Sequence, residues 1–183
     1  MQNRDLNLRK IGEPFKAKLA KIKVALFDVD GILTNGHIYF QGGEIGFNRF
    51  FHVQDGYGLK LLMDAGIKVG IITGGDSVGV KKRFELLDVD YLYTGNEDKR
   101  AAFNDIVKQT GAKDDEILYM GDEFFDLPLL KRSGFSATVP HSSLEIREQV
   151  DYVTYREGGE GAVREVIDML RYAQNIEPKI TGF

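Results

Sequence analysis

The chain has 183 residues, a length that fits one domain, and its 43% hydrophobic and 28% charged residues exclude an intrinsically disordered protein. The formal net charge is −4, and its acidic and basic residues are interleaved, so neither a nucleic-acid partner nor an anionic membrane surface is expected. The absence of cysteine excludes disulfides, thiolate catalysis and cysteine-bound zinc.

The chain begins with a polar segment of mixed charge, residues 1–21, which lacks the apolar core of a signal peptide. No run of about 18 apolar residues, the length that a membrane-spanning helix needs, occurs in the sequence. We therefore expect a cytoplasmic protein without a membrane partner. We expect a single domain with a core at about 21–174, an N-terminal extension at 1–20 and a C-terminal tail at 175–183.

Short apolar runs predict the buried strands of a parallel sheet, and segments of helical period lie between them. The predicted strands are residues 23–27, 69–73, 91–93, 117–120 and 135–139, with 152–154 as a short edge strand. The predicted helices are residues 57–65, 77–87, 99–109 and 161–174, with Ser77 as an N-cap and Gly66, Gly111 and Gly134 at C-caps. This alternation predicts a doubly wound, mostly parallel α/β sheet, whose ligand site lies at the carboxyl ends of the strands.

Residues 37–53 break this pattern, because apolar residues alternate there on both sides of Gly42 and Gly43. The alternation predicts a β-hairpin with a glycine turn. Such a hairpin carries too much apolar surface to stand alone in water, so we expect it to pack on the body or on a neighbouring subunit. An ordinary exposed hairpin is the alternative.

Two carboxylates, Asp28 and Asp30, directly follow the first predicted strand. Carboxylates two residues apart repel each other unless a cation or a shared proton lies between them, so the pair indicates a divalent metal. A common Asp-Gly turn, formed by Asp30 and Gly31, is the structural alternative.

Three further polar signals occur at predicted strand ends. Thr73 offers a hydroxyl before a glycine turn, Lys99 begins a helix, and Asp122 and Asp126 follow the strand at 117–120. Separately they are typical of a side-chain turn, a solvated helix lysine and an acidic loop. Together, at four strand ends of one sheet, they indicate a phosphoryl-binding site.

The order Asp28-x-Asp30, Thr73, Lys99 and Gly121-Asp122-x-x-x-Asp126 resembles the four motifs of the haloacid dehalogenase-like phosphatases, over about residues 21–174. Within that superfamily the chain is most similar to the capless enzymes typified by 3-deoxy-D-manno-octulosonate 8-phosphate phosphatase. This resemblance also rests on residues 27–34, on Asp55-Gly56-Tyr57-Gly58, and on residues 158–165. It implies a Rossmann-like core with a β-hairpin insertion and no cap domain.

The resemblance implies phosphate-monoester hydrolysis through an aspartyl-phosphate, with Asp28 as nucleophile and Asp30 as general acid and base. It implies Mg²⁺ held by the Asp28 carboxylate, the Asp30 main-chain carbonyl and Asp122. Two further carboxylates are expected to support these ligands, and three residues to bind the phosphoryl oxygens. The supporting residues are Asp126 and Glu123, and the phosphate-binding residues are Thr73, Gly74 and Lys99.

The sequence departs from the family where an arginine, expected to bind the substrate carboxylate, usually follows the Ile-Thr-Gly run: Gly75 stands there. Glycine cannot grip a carboxylate bidentately, so either another cation replaces the arginine or the substrate differs. The candidates are Arg49, His52, Lys81 and Arg83, each of which is otherwise a solvated surface side chain. Glu123 stands where the family has aspartate, and metal binding is expected to survive because Asp122 is retained.

The remaining signals have two interpretations each. The histidines at 37, 52 and 141 are dispersed along the chain, so they are expected to be surface or packing residues and not a metal site. Residues 158–161 form either an anion cradle or a flexible connection. The resemblance implies a homotetramer whose active sites lie at subunit interfaces, walled by the hairpin.

The implied reaction converts 3-deoxy-D-manno-octulosonate 8-phosphate to the free sugar acid and phosphate, in lipopolysaccharide sugar biosynthesis. The alternatives are a nine-carbon keto-acid 9-phosphate phosphatase, of the sialic acid or KDN type, and a non-catalytic partner of a sugar-nucleotide synthetase. The missing arginine favours the nine-carbon substrate, and the complete set of Asp28, Asp30, Thr73, Lys99 and Asp122 argues against the non-catalytic partner.

Overall fold

The computed structural model describes residues 6–179, and a six-stranded parallel sheet runs through its centre. Its strands lie in the order β5-β4-β1-β6-β7-β8, so β1 and β6 are central, and the connection from β5 to β6 joins strands that are not neighbours. Two further short strands, β2 and β3, form a separate hairpin. The strands are β1 (Val24–Phe27), β2 (Tyr39–Phe40), β3 (Phe47–Asn48), β4 (Lys68–Ile72), β5 (Tyr91–Tyr93), β6 (Ile117–Met120), β7 (Phe135–Thr138) and β8 (Tyr152–Val153).

Helices cover both faces of the sheet. They are α1 (Leu8–Gly12), α2 (Lys16–Leu19), α3 (Val53–Asp64), α4 (Val78–Leu87), α5 (Arg100–Thr110), α6 (Leu127–Arg132), α7 (Leu144–Arg147) and α8 (Ala162–Ala173). Side chains of α3, α4 and α8 share one hydrophobic core with one face of the sheet, and those of α5, α6 and α7 share another with the opposite face. The predicted doubly wound α/β fold is confirmed.

Strand β1 shows why the apolar runs are continuous. Ala25 and Phe27 pack into the first core, while Val24 and Leu26 pack into the second. Because successive side chains of a strand point to opposite faces, a strand covered on both faces must be apolar throughout. The same strand therefore ends at the edge of both cores, where the next residue, Asp28, is the first polar one.

The hairpin is shorter than the alternation predicts. Only Tyr39 and Phe40 pair with Asn48 and Phe47, and the chain from Arg49 to His52 is irregular before α3 begins. The turn includes Gly46, whose N–H donates to the carbonyl of Gly42, in addition to the predicted glycine pair. The expected strand to residue 53 is wrong, because α3 starts four residues earlier than the periodicity of 57–65 indicates.

The N-terminal extension packs on the body through α1 and α2, which lie against α8. Leu19 is fully buried in the first core, and Gly12 contacts Met169 closely. Residues 1–5 of the extension and 180–183 of the tail lie outside the described residues. Within the described part, no helix combines the length and hydropathy that a membrane crossing requires.

Two of the three glycines expected at helix ends lie there. Gly66 follows α3 with a φ of 85°, and Gly111 ends α5 with a φ of 66°. The expectation for Gly134 is wrong: α6 ends at Ser133 in an extended conformation, and Gly134 instead lies so close to the backbone of Asp115 that a Cβ would overlap it. Gly134 therefore allows two backbone segments to approach each other closely, and it does not end the helix.

Candidate active site

The polar residues after β1 lie in a tight loop at the carboxyl end of the sheet. Asp28 is 3% exposed, and its N–H donates to the carbonyl of Met120 on β6. The chain then turns through Asp30 and Gly31, whose φ of 89° is readily adopted only by glycine. A Cβ on Gly31 would overlap the carboxylate of Asp122, so glycine also allows the loops after β1 and β6 to meet.

Three carboxylates and one ammonium converge at this point. Asp28, Asp122 and Asp126 each offer an oxygen, and these oxygens lie within 4.8 Å of one another. The Nζ of Lys99, whose side chain is 0% exposed, lies 2.8 Å from Asp28 Oδ1 and 2.6 Å from Asp126 Oδ1. A single ammonium leaves the cluster with excess negative charge in a buried place.

Asp126 is held by four donors. It accepts hydrogen bonds from Lys99 Nζ, from the buried hydroxyl of Tyr119 at 2.6 Å, and from the N–H groups of Asp122 and Glu123 at 3.2 and 3.1 Å. With its oxygens occupied in this way, Asp126 orients the lysine and the loop that carries Asp122. Tyr119 was not predicted from the sequence, because it lies inside an apolar strand and reads as a core aromatic.

The cluster fits a divalent cation. Among the described residues, no donor reaches Asp122 Oδ1, although this atom is buried. Burial and the nearby Asp126 raise the pKa of Asp28 to about 8, and burial with the same neighbour raises the pKa of Asp122 to about 6. A cation between these two carboxylates would favour their ionised forms and give the orphan oxygen a partner, and oxygen ligands suit Mg²⁺.

Thr73 lies at the end of β4, next to the same loop. Its N–H donates to the carbonyl of Tyr93, and its hydroxyl accepts the N–H of Gly75 at 3.2 Å. A Cβ on Gly75 would lie 3.7 Å from the Thr73 hydroxyl and 3.3 Å from Asp30 Oδ2, so the two functional groups border one position. Gly74 lies beside Glu97, 3.1 Å from where its Cβ would be. The turn therefore brings Thr73, Gly74 and Gly75 to the mouth of the site.

Arg49 is the candidate substrate residue that the structure brings into this site. Its guanidinium forms a bidentate ion pair with Asp30, through Nε to Oδ1 and through Nη2 to Oδ2 at 2.7 Å. Its Nη1 donates to Ser77 Oγ at 3.1 Å. The side chain of Arg49 therefore extends from the hairpin segment to Asp30 in the loop after β1.

The other candidates lie elsewhere. Arg83 lies against Gly56 and near the ring of Phe51, and Lys81 pairs with Asp76 at 2.6 Å. His52 lies near Gly161, and its Nδ1 is buried with no partner among the described residues. The exposed carboxylate of Glu123 folds back onto the N–H of Phe124 at 2.8 Å and does not point into the cluster.

His141 is an exposed residue, as the sequence indicated, and it also lies beside the cluster. Its Nε2 is 3.4 Å from Asp122 Oδ2, and its Nδ1 is 3.0 Å from Glu157 Oε2. The residue follows β7, the strand next to β6, so position after a strand was the signal that could have found it. Its ring therefore links Asp122 to the loop before α8.

Residues 158–161 pack against the loop after β1. Gly159 N–H donates to the carbonyl of Ile32 at 3.0 Å, and a Cβ on Gly158 would overlap the carbonyl oxygen of Gly31. Close backbone contact with the loop after β1 therefore accounts for Gly158 and Gly159.

Asp55 has a structural role that the sequence did not reveal. It is 1% exposed in the first turn of α3, and its Oδ1 accepts the N–H of Arg164 at 2.7 Å. Arg164 is in the first turn of α8, whose own N-cap, Gly161, provides no side-chain acceptor. Asp55 therefore caps α8 from another helix.

Asp55→Asn is expected to become more stable, relative to the wild type, as the pH rises from about 4 to about 7. Burial raises the pKa of Asp55 from 3.8 to about 6, so its contribution to folding is most favourable below pH 3.8 and is lost as the pH rises through 6. Asparagine keeps an acceptor for Arg164 and carries no charge. The relative gain is at most about 3 kcal/mol.

Urea unfolding across this pH range measures the difference. The exposed Asp64→Asn, in the same helix, is the control and is expected to show little pH-dependent change. A pH-independent difference between Asp55→Asn and the wild type would contradict the raised pKa.

The sequence matches known proteins over most of its length. The family profile described as haloacid dehalogenase-like hydrolase matches residues 91–167. The 3-deoxy-D-manno-octulosonate 8-phosphate phosphatase KdsC of Haemophilus influenzae is 38% identical over 158 residues, which are 86% of this chain and 87% of that protein.

Two solved structures are similar in fold. The 3-deoxy-D-manno-octulosonate 8-phosphate phosphatase of Moraxella catarrhalis, in complex with magnesium ion, phosphate ion and KDO, is 37% identical with a TM-score of 0.84, over 89% of this chain and 93% of that one. The cobalt-bound form of the enzyme of Haemophilus influenzae is 37% identical with a TM-score of 0.82, over 86% of this chain and 92% of that one. With this identity and coverage, the chain belongs to the haloacid dehalogenase-like hydrolases, in the family of the 3-deoxy-D-manno-octulosonate 8-phosphate phosphatases.

Proposed function

We propose that the protein is a Mg²⁺-dependent phosphomonoesterase that works through an aspartyl-phosphate on Asp28. The observation that carries this proposal is the convergence of Asp28, Asp122 and Asp126 around Lys99, with a buried oxygen of Asp122 left free for a cation. Asp28, the Asp30 main-chain carbonyl and Asp122 would hold the metal. Mg²⁺ bound there supplies positive charge that offsets the repulsion between carboxylate and phosphate.

The residues divide the reaction into two displacements. An Asp28 oxygen attacks phosphorus, while Asp30 gives a proton to the leaving sugar oxygen. Asp30 then takes a proton from water as the water attacks phosphorus, which returns Asp28 as a carboxylate. Lys99 and the Thr73 hydroxyl stabilise the phosphoryl oxygens as their charge changes, and Asp126 keeps Lys99 in place.

The substrate we propose is 3-deoxy-D-manno-octulosonate 8-phosphate. The relatives at 36–38% identity carry that activity in their names, and the neighbour from Moraxella catarrhalis binds KDO and phosphate. The absence of the family's arginine at Gly75 keeps the nine-carbon keto-acid 9-phosphates as the second candidate, because glycine cannot pair with a substrate carboxylate.

Phosphate release by the purified protein with Mg²⁺, measured on eight-carbon and nine-carbon keto-acid phosphates, tests this proposal. We expect the highest kcat/KM on the eight-carbon compound, and none of this activity after the metal is removed with a chelator. A preference for the nine-carbon compound would contradict the substrate assignment. No release from either would favour a non-catalytic partner.

We also propose that the protein self-associates through the hairpin, as a homotetramer. Phe40 is 65% exposed and Phe50 is 67% exposed, and Phe50 stacks on Tyr39 with ring centroids 5.0 Å apart. With Ile38 and Phe47 they form an apolar surface that water disfavours, and a closed symmetric assembly would cover it equally on every subunit.

Phe40→Asp with Phe50→Asp is expected to yield a smaller species than the wild type in light scattering coupled to gel filtration. Two buried charges per subunit would oppose association, while the exposed positions leave the monomer fold intact. Leu86→Asp, an exposed apolar position on α4, is the control and should not change the mass. A wild-type monomer, or an unchanged mass in the double variant, would contradict this assembly.

A further inference from the structure

The contact between Arg49 and Asp30 joins the hairpin to the centre of the proposed reaction. Two of the guanidinium nitrogens bind the two oxygens of one carboxylate, and the third binds Ser77. The Arg49 side chain is 7% exposed, while that of Asp30 is 36% exposed. A bidentate pair of this kind fixes both the position and the plane of the carboxylate.

The site has room for Arg49 because two glycines lie beneath this part of the hairpin. A Cβ on Gly75 would lie 2.8 Å from Arg49 Nη2, inside contact distance. Gly79 lies at the start of α4, and a Cβ there would overlap the Oδ1 atom of Asn48, which is the residue before Arg49. Gly75 and Gly79 therefore form, with Ser77, the surface on which Asn48 and Arg49 lie.

We propose that Arg49 is a positioning residue that holds the Asp30 carboxylate in the orientation for proton transfer to and from the leaving and attacking oxygens. This inference rests on the proposed function. In the first step the electron pair of the phosphorus–oxygen bond passes to the leaving oxygen, which takes the proton of Asp30. In the second step Asp30 takes a proton from water, and Arg49 is unchanged throughout.

A direct role in binding the substrate carboxylate fits the geometry less well. All three nitrogens of Arg49 already have protein partners, and the side chain is nearly covered. Its guanidinium is next to the group that acts on the phosphate ester, whereas the carboxylate of a keto-acid phosphate lies at the other end of the carbon chain. Arg49 is placed to act through Asp30.

A comparison of two substrates with different leaving groups tests this role. A sugar alkoxide needs a proton as it departs, whereas p-nitrophenolate leaves as a stabilised anion and needs little help from a general acid. Arg49→Gln is therefore expected to lower kcat by about 10- to 100-fold on the eight-carbon sugar phosphate, with less than about a twofold change on p-nitrophenyl phosphate. The KM for the sugar phosphate should stay within about twofold, since Arg49 does not bind it.

Two variants serve as controls. Arg49→Lys keeps a charge that reaches one Asp30 oxygen, and we expect it to recover part of the lost kcat. Arg132→Gln removes an arginine that pairs with Asp114 on the surface, 2.9 Å away, and should leave both substrates unaffected. Circular dichroism and thermal melts check that each variant is folded.

The outcomes separate the alternatives. Equal losses on both substrates would mean a general structural effect, and a raised KM with unchanged kcat would mean that Arg49 binds the substrate; either result overturns the inference. Wild-type activity on p-nitrophenyl phosphate, lost in Asp28→Asn, is measured first. No phosphate release from either the sugar phosphate or p-nitrophenyl phosphate would contradict the proposed function itself, whereas an active wild type with an unselective Arg49→Gln contradicts the positioning role alone.

Discussion

Asp28→Asn is expected to lower the rate of phosphate release by about 10⁴-fold or more, because an amide cannot replace a carboxylate as the nucleophile. The variant should nevertheless fold. Burial and Asp126 raise the pKa of Asp28 to about 8, so an ionised carboxylate at this position is unfavourable for stability. Asparagine has nearly the same size and no charge, and it leaves Lys99 paired with Asp126.

Stability measurements separate this loss of activity from unfolding. In buffer without Mg²⁺ at about pH 8, the free energy of unfolding of Asp28→Asn should equal or exceed that of the wild type. The advantage should shrink as the pH falls, since the wild-type carboxyl then becomes neutral in the folded state too. Retained turnover in a folded Asp28→Asn would show that another residue is the nucleophile.

Lys99→Met is expected to lose about 3–5 kcal/mol of stability, in addition to most of its activity. The methionine keeps the length of the side chain and removes the charge that lies between Asp28 and Asp126, both nearly fully buried. Two buried carboxylates without a cation beside them destabilise the folded state. The rate of phosphate release should fall by about 10²- to 10³-fold, because the phosphoryl oxygens lose their positive partner.

The pH dependence has a definite sign. Burial lowers the pKa of Lys99, but the charges and hydrogen bonds of the two aspartates outweigh it and raise the pKa above its usual value. The contribution of Lys99 is therefore complete below the ordinary lysine range and is lost only at pH values above it. Across neutral pH the wild type therefore keeps the contribution. The defect of Lys99→Met should therefore be present both at about pH 5 and at about pH 8, because the wild-type ammonium stays charged across this range.

Urea unfolding at these two pH values, with and without Mg²⁺, measures the defect. Added Mg²⁺ should restore part of the stability by supplying a cation to the same carboxylates. Lys68→Met is the control, because Lys68 is exposed and its pair with Asp90 is on the surface. A Lys99→Met variant as stable as the wild type at both pH values would contradict the role of the buried ion pair.

The sequence predicted the centre of the sheet well, because β1, β4 and β6 are buried along almost their whole length and their apolar runs are therefore continuous. It also predicted which residues gather at the carboxyl ends: Asp28, Thr73, Lys99 and Asp122 follow four strands that the sheet places side by side. Helix starts were less well predicted. Helix α3 begins with Val53 and Gln54, whose side chains are exposed, so the apolar period does not mark its first turn.

Contacts between segments far apart in the chain could not be predicted from the sequence pattern. Asp55 and Arg164 are 109 residues apart, and nothing local marks one as the cap of the other's helix. Arg49 was one of four basic candidates, and only the fold shows that its guanidinium lies over Gly75. His141 looked like an isolated histidine because its partners, Asp122 and Glu157, come from other loops.

The most direct test of the account is the phosphoryl group on Asp28 itself. Rapid acid quenching of the protein during turnover with Mg²⁺, followed by peptide mass spectrometry, should find one phosphoryl group on the peptide that contains Asp28. The label should be absent without Mg²⁺. Phosphate release with no label on Asp28, or with the label on another residue, would contradict Asp28 as the nucleophile.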